Sequence, residues 1–386
     1  MTNLPATAQV VIVGGGVMGT STAYHLALRG CQNVLLLERE PFLGTQATGR
    51  CAGGVRYQFS TEINVRLSQF SLPMLDRFED ELGQPIGRRR VGYLFLLTSE
   101  GSVANFREIV AMQRRLGVNT EWLAPDDIAA RVPPLNLEGV LAGTNNAEDG
   151  LADPNSVVQG YASGARRLGA KLVTDVAVTD IQIEGGRVKG VVTNQGPVVT
   201  PMVVNATGPW AGEVGKMAGV DIPIVPLRRQ IAVTGPIPEL PPDFPFVIDF
   251  DQSLYFHPEG EGLLTGMSNL NEKVGFDQSV DSEWELVHFE AAMERLPLLE
   301  QAGVANRWAG LYEVSPDAHP ILGRIPQVQG LYCIAGFSGH GFMHGPICGL
   351  LLAEEILDGA AHTLDISSLY IDRFEQGESI VEYNVV

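Results

Sequence analysis

The sequence predicts an α/β fold in which a parallel sheet with covering helices, assembled from three separated stretches of chain, carries a second unit of mostly antiparallel strands. Three observations predict it. An unbroken apolar run, VVIV at residues 10–13, leads through the glycine turn GGGVMG into a segment of helical period, then into a second run, VLLL, and a carboxylate, Glu38. Strand–helix alternation of the same kind returns after Asp149 and again after Leu331. Between these stretches the pattern changes to short strands punctuated by proline and glycine, which suits an antiparallel unit.

Each part of the first stretch has a physical role. Gly14 permits a sharp turn off the first strand, Gly16 removes the side chain that would block a pyrophosphate, and Gly19 lets the helix lie close to the sheet. Val17 and Met18 open that helix, whose free N–H groups and positive dipole end favour an anion. Ala23 and Leu26 face inward at helical spacing and Gly30 ends the helix. Glu38, nineteen residues after Gly19 at the end of the second strand, is placed to accept ribose hydroxyls and to repel a 2′-phosphate. The stretch is therefore read as a Rossmann-type socket for an adenine dinucleotide, with NADP disfavoured and FAD the expected cofactor.

Composition bounds the rest. With 386 residues, 45% of them hydrophobic, the chain is long enough for two domains with their own cores. No apolar run approaches the ~20 residues that span a bilayer, and the polar leader lacks the positive region of a signal peptide. Cys31, Cys51, Cys333 and Cys348 are scattered without a CxxC pair, which argues against a disulfide scaffold or zinc site and fits a cytoplasmic location. A net charge of −19 and a pI near 4.7 exclude nucleic acid and anionic membrane surfaces as natural partners.

Further along, residues 44–55 read as a glycine-rich loop, and 62–82 as one helix with Ile63, Leu67, Phe70, Leu75 and Phe78 on its apolar side. A strand is expected at 91–97, a helix at 103–116 and a proline-bearing segment at 125–134. A helix over 157–168 precedes the strand KLVTDV, and a hairpin turns at Gly185-Gly186. The strand at 202–205 runs into ATGPWAG; 222–308 is strand-rich with one helix at 282–296; 331–357 is strand, glycine turn and helix. The expected division is 1–85, 149–222 and 320–386 for the dinucleotide domain, with 86–148 and 223–319 forming a substrate domain. Ligand chemistry is expected between the two.

Taken together, GGGVMG, DGLADP, VVNATGPWAG, WAGLYEVSPDAHPILG and AGFSGHGFMHGPICG resemble the D-amino-acid-oxidase-like FAD oxidoreductases. Within them the chain looks most like the sarcosine oxidase and dehydrogenase group and the flavin β-subunits of heteromeric proline dehydrogenases. The resemblance runs over the whole chain. It implies that Glu38 and Arg39 hold the adenosine, that Thr48, Arg50, Cys51, Ala52 and Gly53 line the flavin, and that Val176 meets the adenine through its backbone. Ala206, Thr207 and Gly208 would close over the dinucleotide, with Trp210, Gly310 and Leu311 in the bordering motifs. Gly336, Ser338, Gly339, His340, Gly341, Phe342 and Met343 would touch the flavin ring. The residues support this last point independently: the glycine turn precedes an apolar helix, read at 347–357, whose N-terminus would stabilise negative charge on the reduced ring.

Six side chains are singled out for the reaction. Arg56 matches a substrate carboxylate in shape and falls where sarcosine oxidases carry an active-site arginine. Tyr312 falls where related oxidases place a carboxylate-binding arginine. His340 and His257 are candidates to take a proton from the amine, Tyr255 to form an aromatic wall, and Met343 stands where a lysine lies near substrate in relatives. His25, Trp210 and Trp308 read as packing residues, and His288, His319 and His344 receive no role. Gly310 replaces the cysteine of covalently flavinylated relatives, so FAD is expected to be non-covalent. Leu264 and Gly53 replace a lysine and an arginine, which places a dehydrogenase beside an oxidase.

The resemblance thus implies oxidation of a C–N bond in a small secondary amine or amino acid, of the sarcosine, glycine or proline type, by hydride transfer to flavin N5. The electron acceptor would be oxygen or a redox partner. Two alternatives keep the fold: the flavin subunit of a heteromeric amine or proline dehydrogenase, and an enzyme acting on an alcohol-type substrate. A third is a non-catalytic flavin- or NAD-binding module.

Overall fold

Four consecutive apolar residues with no polar alternation find burial on both faces in a parallel sheet covered by helices, and Val10–Val13 and Val34–Leu37 are buried at every position. In the computed structural model, which describes residues 4–385, the two strands pair in parallel from Val10 with Val34 to Val13 with Leu37. Lys171–Val173 continues the sheet beyond Val34–Leu37. On the other side Val203–Asn205 and Leu331–Ala335 add in parallel, and Ile321–Arg324 closes that edge in antiparallel. The six strands come from three separated stretches of chain.

The helix Val17–Leu28 crosses between the first two strands. Its distance from the sheet is set at Gly19, where a Cβ would stand 1.9 Å from the carbonyl oxygen of Gly14. The long helix Gly341–Asp358 packs against it, and a Cβ on Gly349 would stand 2.2 Å from Ser21 Oγ. Glycine costs helix propensity, but here it permits two backbones to meet.

A second sheet has eight strands, in the order Val304–Val314, Val225–Thr234, Gly262–Met267, Leu254–Glu259, Phe246–Asp249, Tyr93–Leu97, Ala142–Asn146 and Glu121–Leu123. Neighbours are antiparallel except Phe246–Asp249 with Tyr93–Leu97, which run parallel. That pair joins strands more than a hundred residues apart in sequence. The two-residue alternation of strands sorts their side chains. Leu94, Leu96, Val247 and Phe256 pack beneath the helix Ser282–Arg295, whereas Tyr93, Phe95, Phe246, Ile248 and Tyr255 form an aromatic layer on the opposite face.

Three local expectations need correction. The segment 62–82 is two helices, Glu62–Asp76 and Phe78–Leu82, broken at Arg77 just after Pro73 removes an N–H from the ladder; Phe70 is exposed rather than packed. The loop 44–55 contains a short turn of helix, Thr48–Arg50, and a two-residue strand, Gly54–Val55, paired with Gly150–Leu151. The last helix begins at Gly341, not near 347. No helix among the described residues is long and apolar enough to cross a membrane.

The Gly19 contact yields a direct test. Gly19→Ala should lower stability by about 1–3 kcal/mol, the usual range for overpacking, and reduce the flavin retained on purification. Urea unfolding and the visible spectrum measure both; a wild-type midpoint and full flavin content would show that the helix relaxes without cost.

Candidate functional site

Two adjoining cavities lie where the parallel sheet meets the aromatic layer. A long cleft enclosing about 1340 Å³, partly open to solvent, is lined by Gly14, Gly16, Val17, Met18, Glu38, Arg39, Thr48, Val176, Ala206, Thr207, Gly208, Trp210 and Gly341. A smaller chamber of about 800 Å³ is lined by Arg50, Ala52, Gly53, Arg56, Tyr255, Gly310, Ser338, His340 and Met343. Cys51, Leu311, Tyr312, Gly339 and Phe342 border both. Of the residues singled out in the sequence, Gly19, Gly336 and His257 line neither.

The cleft is built by backbone. Gly14 adopts φ +110, where a side chain is strained, and a Cβ there would stand 2.4 Å from the Ala206 carbonyl oxygen. Thr48 caps the helix from outside it, accepting Val17 N–H through Oγ1 at 3.2 Å. Glu38 accepts from Gly15 N–H at 2.7 Å and from Glu40 N–H at 2.8 Å. These two bonds fix the carboxylate's direction and leave lone pairs for a further donor. At the rim, Arg39 lies 3.9 Å over the Trp210 ring, which stacks on Phe276 at 5.5 Å. Gln278 donates to Gln46 at 3.3 Å across the same rim. Phe276 and Gln278 carried no sequence signal beyond their place in a polar loop.

Arg50 ties the loop below the cleft to the second sheet, donating to the Ala309 carbonyl at 2.7 Å, while Trp308 donates its indole N–H to the Arg50 carbonyl at 3.0 Å. Trp308 is thus a packing residue with a bonded N–H, whereas Trp210 stands on the cleft wall.

Tyr93 stacks on Phe246 at 4.1 Å and Tyr255 on Phe246 at 5.7 Å, giving the chamber one aromatic wall. His340 faces the chamber with neither ring nitrogen hydrogen-bonded. Burial, and then the neighbouring His344, push its pKa well below the usual histidine range, so it is a neutral imidazole. His344, given no role from sequence, packs 5.2 Å from His340 and lies within 2.9 Å of Ser68 Oγ. Met343 lines the chamber by its side chain while its carbonyl accepts from Ser71 at 2.6 Å.

Three sequence expectations do not survive the geometry. Arg56 reaches the chamber, but its terminal nitrogens donate to the carbonyls of Gln58 and Asn384 and its guanidinium lies 4.1 Å over Phe59. It is built into the wall and not free for a carboxylate. His257 sits behind Phe246, 4.8 Å between rings, with Nδ1 3.0 Å from the Pro258 carbonyl; it touches no cavity. Leu264, expected beside the flavin where a lysine would stand, is buried in the aromatic layer and lines neither cavity.

Three groups were missed. Arg229 lines the chamber 5.0 Å from the Tyr312 ring, with its Nε buried and unpartnered. It shares a strand face with Ile231 and Val233, and that alternation was the signal available. Glu313 lines the long cleft with Oε2 buried and unpartnered. Val385 lines the chamber, held there by Glu382, which accepts from Ser60 N–H and Oγ, Thr61 N–H and Oγ1, and Asn64 Nδ2 at 2.5–3.1 Å. Nothing local foretells a contact between residues more than three hundred positions apart.

The chain belongs to the family of FAD dependent oxidoreductases (DAO), which matches residues 9–355. It is 34% identical over 372 residues to the mitochondrial dimethylglycine dehydrogenase of Mus musculus, covering 91% of this chain and 42% of that protein. It is 32% identical over 373 residues to the mitochondrial sarcosine dehydrogenase of Homo sapiens, covering 92% and 40%. The chain therefore spans less than half the length of these curated relatives. Its structure superposes on L-proline dehydrogenase from P.horikoshii with a TM-score of 0.90 and 34% identity, covering 97% of this chain and 99% of that one. FAD is the family's cofactor, and the bare-backbone cradle at Gly14 and Gly16, the helix N-terminus and the oriented Glu38 fit a dinucleotide.

Two measurements test the site. Glu38→Ala should weaken FAD retention roughly tenfold, about 1.4 kcal/mol, in a fluorescence titration; unchanged affinity would remove Glu38 from the socket. For Glu382, burial raises the pKa but the donors of Ser60, Thr61 and Asn64 outweigh it and hold the group below the usual range. A depressed folded pKa contributes stability above the unfolded value, about 4.3 for Glu, and loses it as pH falls. Glu382→Gln should cost about 1–3 kcal/mol near neutrality, and thermal melts should show the gap to wild type closing below about pH 4.

Proposed function

We propose that the chain oxidises the C–N bond of a small N-substituted or simple α-amino acid, of the sarcosine, glycine or proline type. The curated relatives are named for dimethylglycine and sarcosine and the structural neighbour for L-proline, three N-alkylated molecules with a carboxylate one carbon from nitrogen. The observation that carries the reading is the chamber itself. It adjoins the FAD cleft, has an aromatic wall, and presents one buried, unpartnered guanidinium nitrogen on Arg229.

Bound FAD supplies a two-electron acceptor that takes hydride. Arg229 binds the carboxylate and so fixes which carbon faces the cofactor. Neutral His340 accepts a hydrogen bond from the amine and so orients the nitrogen. Tyr93, Phe246, Tyr255 and Tyr312 exclude water from the reacting carbon. Arg50 and Arg56 already donate to carbonyls, which argues against a phosphorylated alcohol as substrate.

FAD is held without a covalent bond in this reading. Gly310 has no nucleophile, and burial pushes the Cys51 thiol up to about 11, leaving it protonated and unreactive. Among the described residues no lysine lines the chamber, and the favoured electron acceptor is a redox partner rather than oxygen. A second reading, a flavin subunit within a heteromeric dehydrogenase, draws on five exposed apolar side chains, Leu270, Val274, Phe276, Leu286 and Val287.

Anaerobic mixing of the flavoprotein with sarcosine, proline, glycine and dimethylglycine should bleach the flavin with at least one of them; no bleaching would sink the substrate class. Arg229→Met should raise KM tenfold or more, as expected for loss of a charged hydrogen bond of about 1.5–3 kcal/mol, with a smaller change in kcat. Acid precipitation should release the flavin into the supernatant. Co-purification of a second subunit from the native host would favour the heteromeric reading.

A further inference from the structure

Glu313 is the penultimate residue of the strand Val304–Val314, opposite Pro226 of the neighbouring strand. Strand alternation sends it to the face opposite Tyr312, and both residues border the long cleft. The backbone N–H groups of Gly336 and Phe337 lie near one carboxylate oxygen and pull its pKa down against burial. The other oxygen, Oε2, is shielded from solvent and unpartnered. The backbone around it is bare: a Cβ on Gly208 would stand 3.2 Å from Oε2, and one on Gly341 would stand 3.4 Å from Oε1. Gly208 lies two residues beyond Ala206, whose carbonyl abuts Gly14. The free oxygen therefore opens on the cleft between the glycine turn and the chamber, where the linker of a bound dinucleotide must pass.

The elements packed against it bring little charge. Pro226, Gly208, Gly336, Phe337 and Gly341 offer backbone or apolar atoms. Cys333 is the titratable neighbour that senses Glu313, its thiol being raised first by burial and then by this carboxylate. Among the described residues no lysine, arginine or histidine forms an ion pair with Glu313. The N-terminal end of the helix Gly341–Asp358 lies near Oε1, but no side-chain cation pairs with the carboxylate, so an ionised Oε2 facing a diphosphate would be repelled. A neutral carboxyl has a proton to give.

We propose that Glu313 is a cofactor-facing acid, protonated in the FAD-bound protein and donating its O–H to an oxygen of the ribityl–diphosphate linker. Binding then takes one proton from solvent whenever the free protein holds Glu313 ionised. This rests on FAD as the cofactor and not on the identity of the substrate. Burial, working against the Gly336 and Phe337 donors, already brings the group up to about 7 before FAD arrives. Below that pH the acid is neutral in both states and affinity is flat; above it, each pH unit costs tenfold because binding must first supply the proton.

The test is FAD titration of the apoprotein from pH 6 to 9, read by flavin fluorescence, for wild type and Glu313→Gln. The dissociation constant of wild type should rise about tenfold per unit above pH 7, while the amide, a permanent donor, should bind with a flat profile. Proton uptake in weakly buffered solution at pH 8 should approach one per FAD for wild type, a reading that does not depend on the variant folding. A flat wild-type profile, no proton uptake, or a folded Glu313→Gln that binds FAD at no pH would overturn the proposal. Wild type that binds no FAD at any pH would instead overturn the cofactor.

Discussion

The distance between the helix Val17–Leu28 and the strand before it sets the geometry of both cavities. With no side chain at Gly19, the helix lies against the Gly14 carbonyl, which puts its first N–H groups beside Thr48 and the glycine turn beside Glu38. The same helix receives the C-terminal helix at Gly345 and Gly349, against Val17 and Ser21. A wider spacing at Gly19 would therefore move the cleft wall and, through the last helix, His340 and Met343 in the chamber. One missing methyl group links the cofactor cleft to the substrate chamber.

Hydrogen-bond accounting separates the scaffold from the site. Buried charged groups that hold the fold are paired: Arg373 with Asp317 at 2.8 Å, Arg295 with Asp249 at 2.8 Å, and Glu382 with three polar residues on and before one helix, although Asp249 and Asn64 each keep one unpartnered oxygen. Arg56 joins this class through Gln58 and Asn384. Arg229, Glu313 and His340 each keep an unpartnered buried atom and each line a cavity. Neither criterion suffices alone, since His25 and His257 also have unpaired nitrogens; both are buried away from the cavities, and burial lowers both to about 4. An unpaired polar atom in a wall has a ligand to meet, whereas a neutral ring in a core has only a modest desolvation cost.

What was legible in the sequence is what local rules determine. The first strand, turn, helix and second strand lie at almost the positions read, because apolar runs, positive-φ glycine and helical spacing act within thirty residues. The start of the last helix was misplaced because Gly345, Pro346 and Gly349 count against helix locally, while the value of the two glycines lies in contact with Val17 and Ser21. Arg56 looked available because its partner, the Asn384 carbonyl, is at the other end of the chain. His257 looked exposed to chemistry because it shares the chamber's sheet face with Tyr255; the packing of Phe246 against its ring, which screens it, is not written in its own strand. The parallel pairing of Phe246–Asp249 with Tyr93–Leu97 likewise has no signature in either segment alone.

Charge placement in the chamber bears on the proposed oxidation. An α-amino acid arrives at neutral pH as a zwitterion, and its nitrogen must lose a proton before hydride can leave the adjacent carbon with the nitrogen lone pair in support. A cation at Arg229 attracts the carboxylate and disfavours a second cation nearby, so it lowers the pKa of the bound ammonium. His340, held far below its usual range by burial and His344, stays neutral and offers the amine a hydrogen-bond acceptor without taking its proton. A histidine titrating near 7 would compete with the amine for the proton; a strongly desolvated one remains a neutral acceptor, and burial, with the Phe59 ring 5.3 Å away, is what keeps it so.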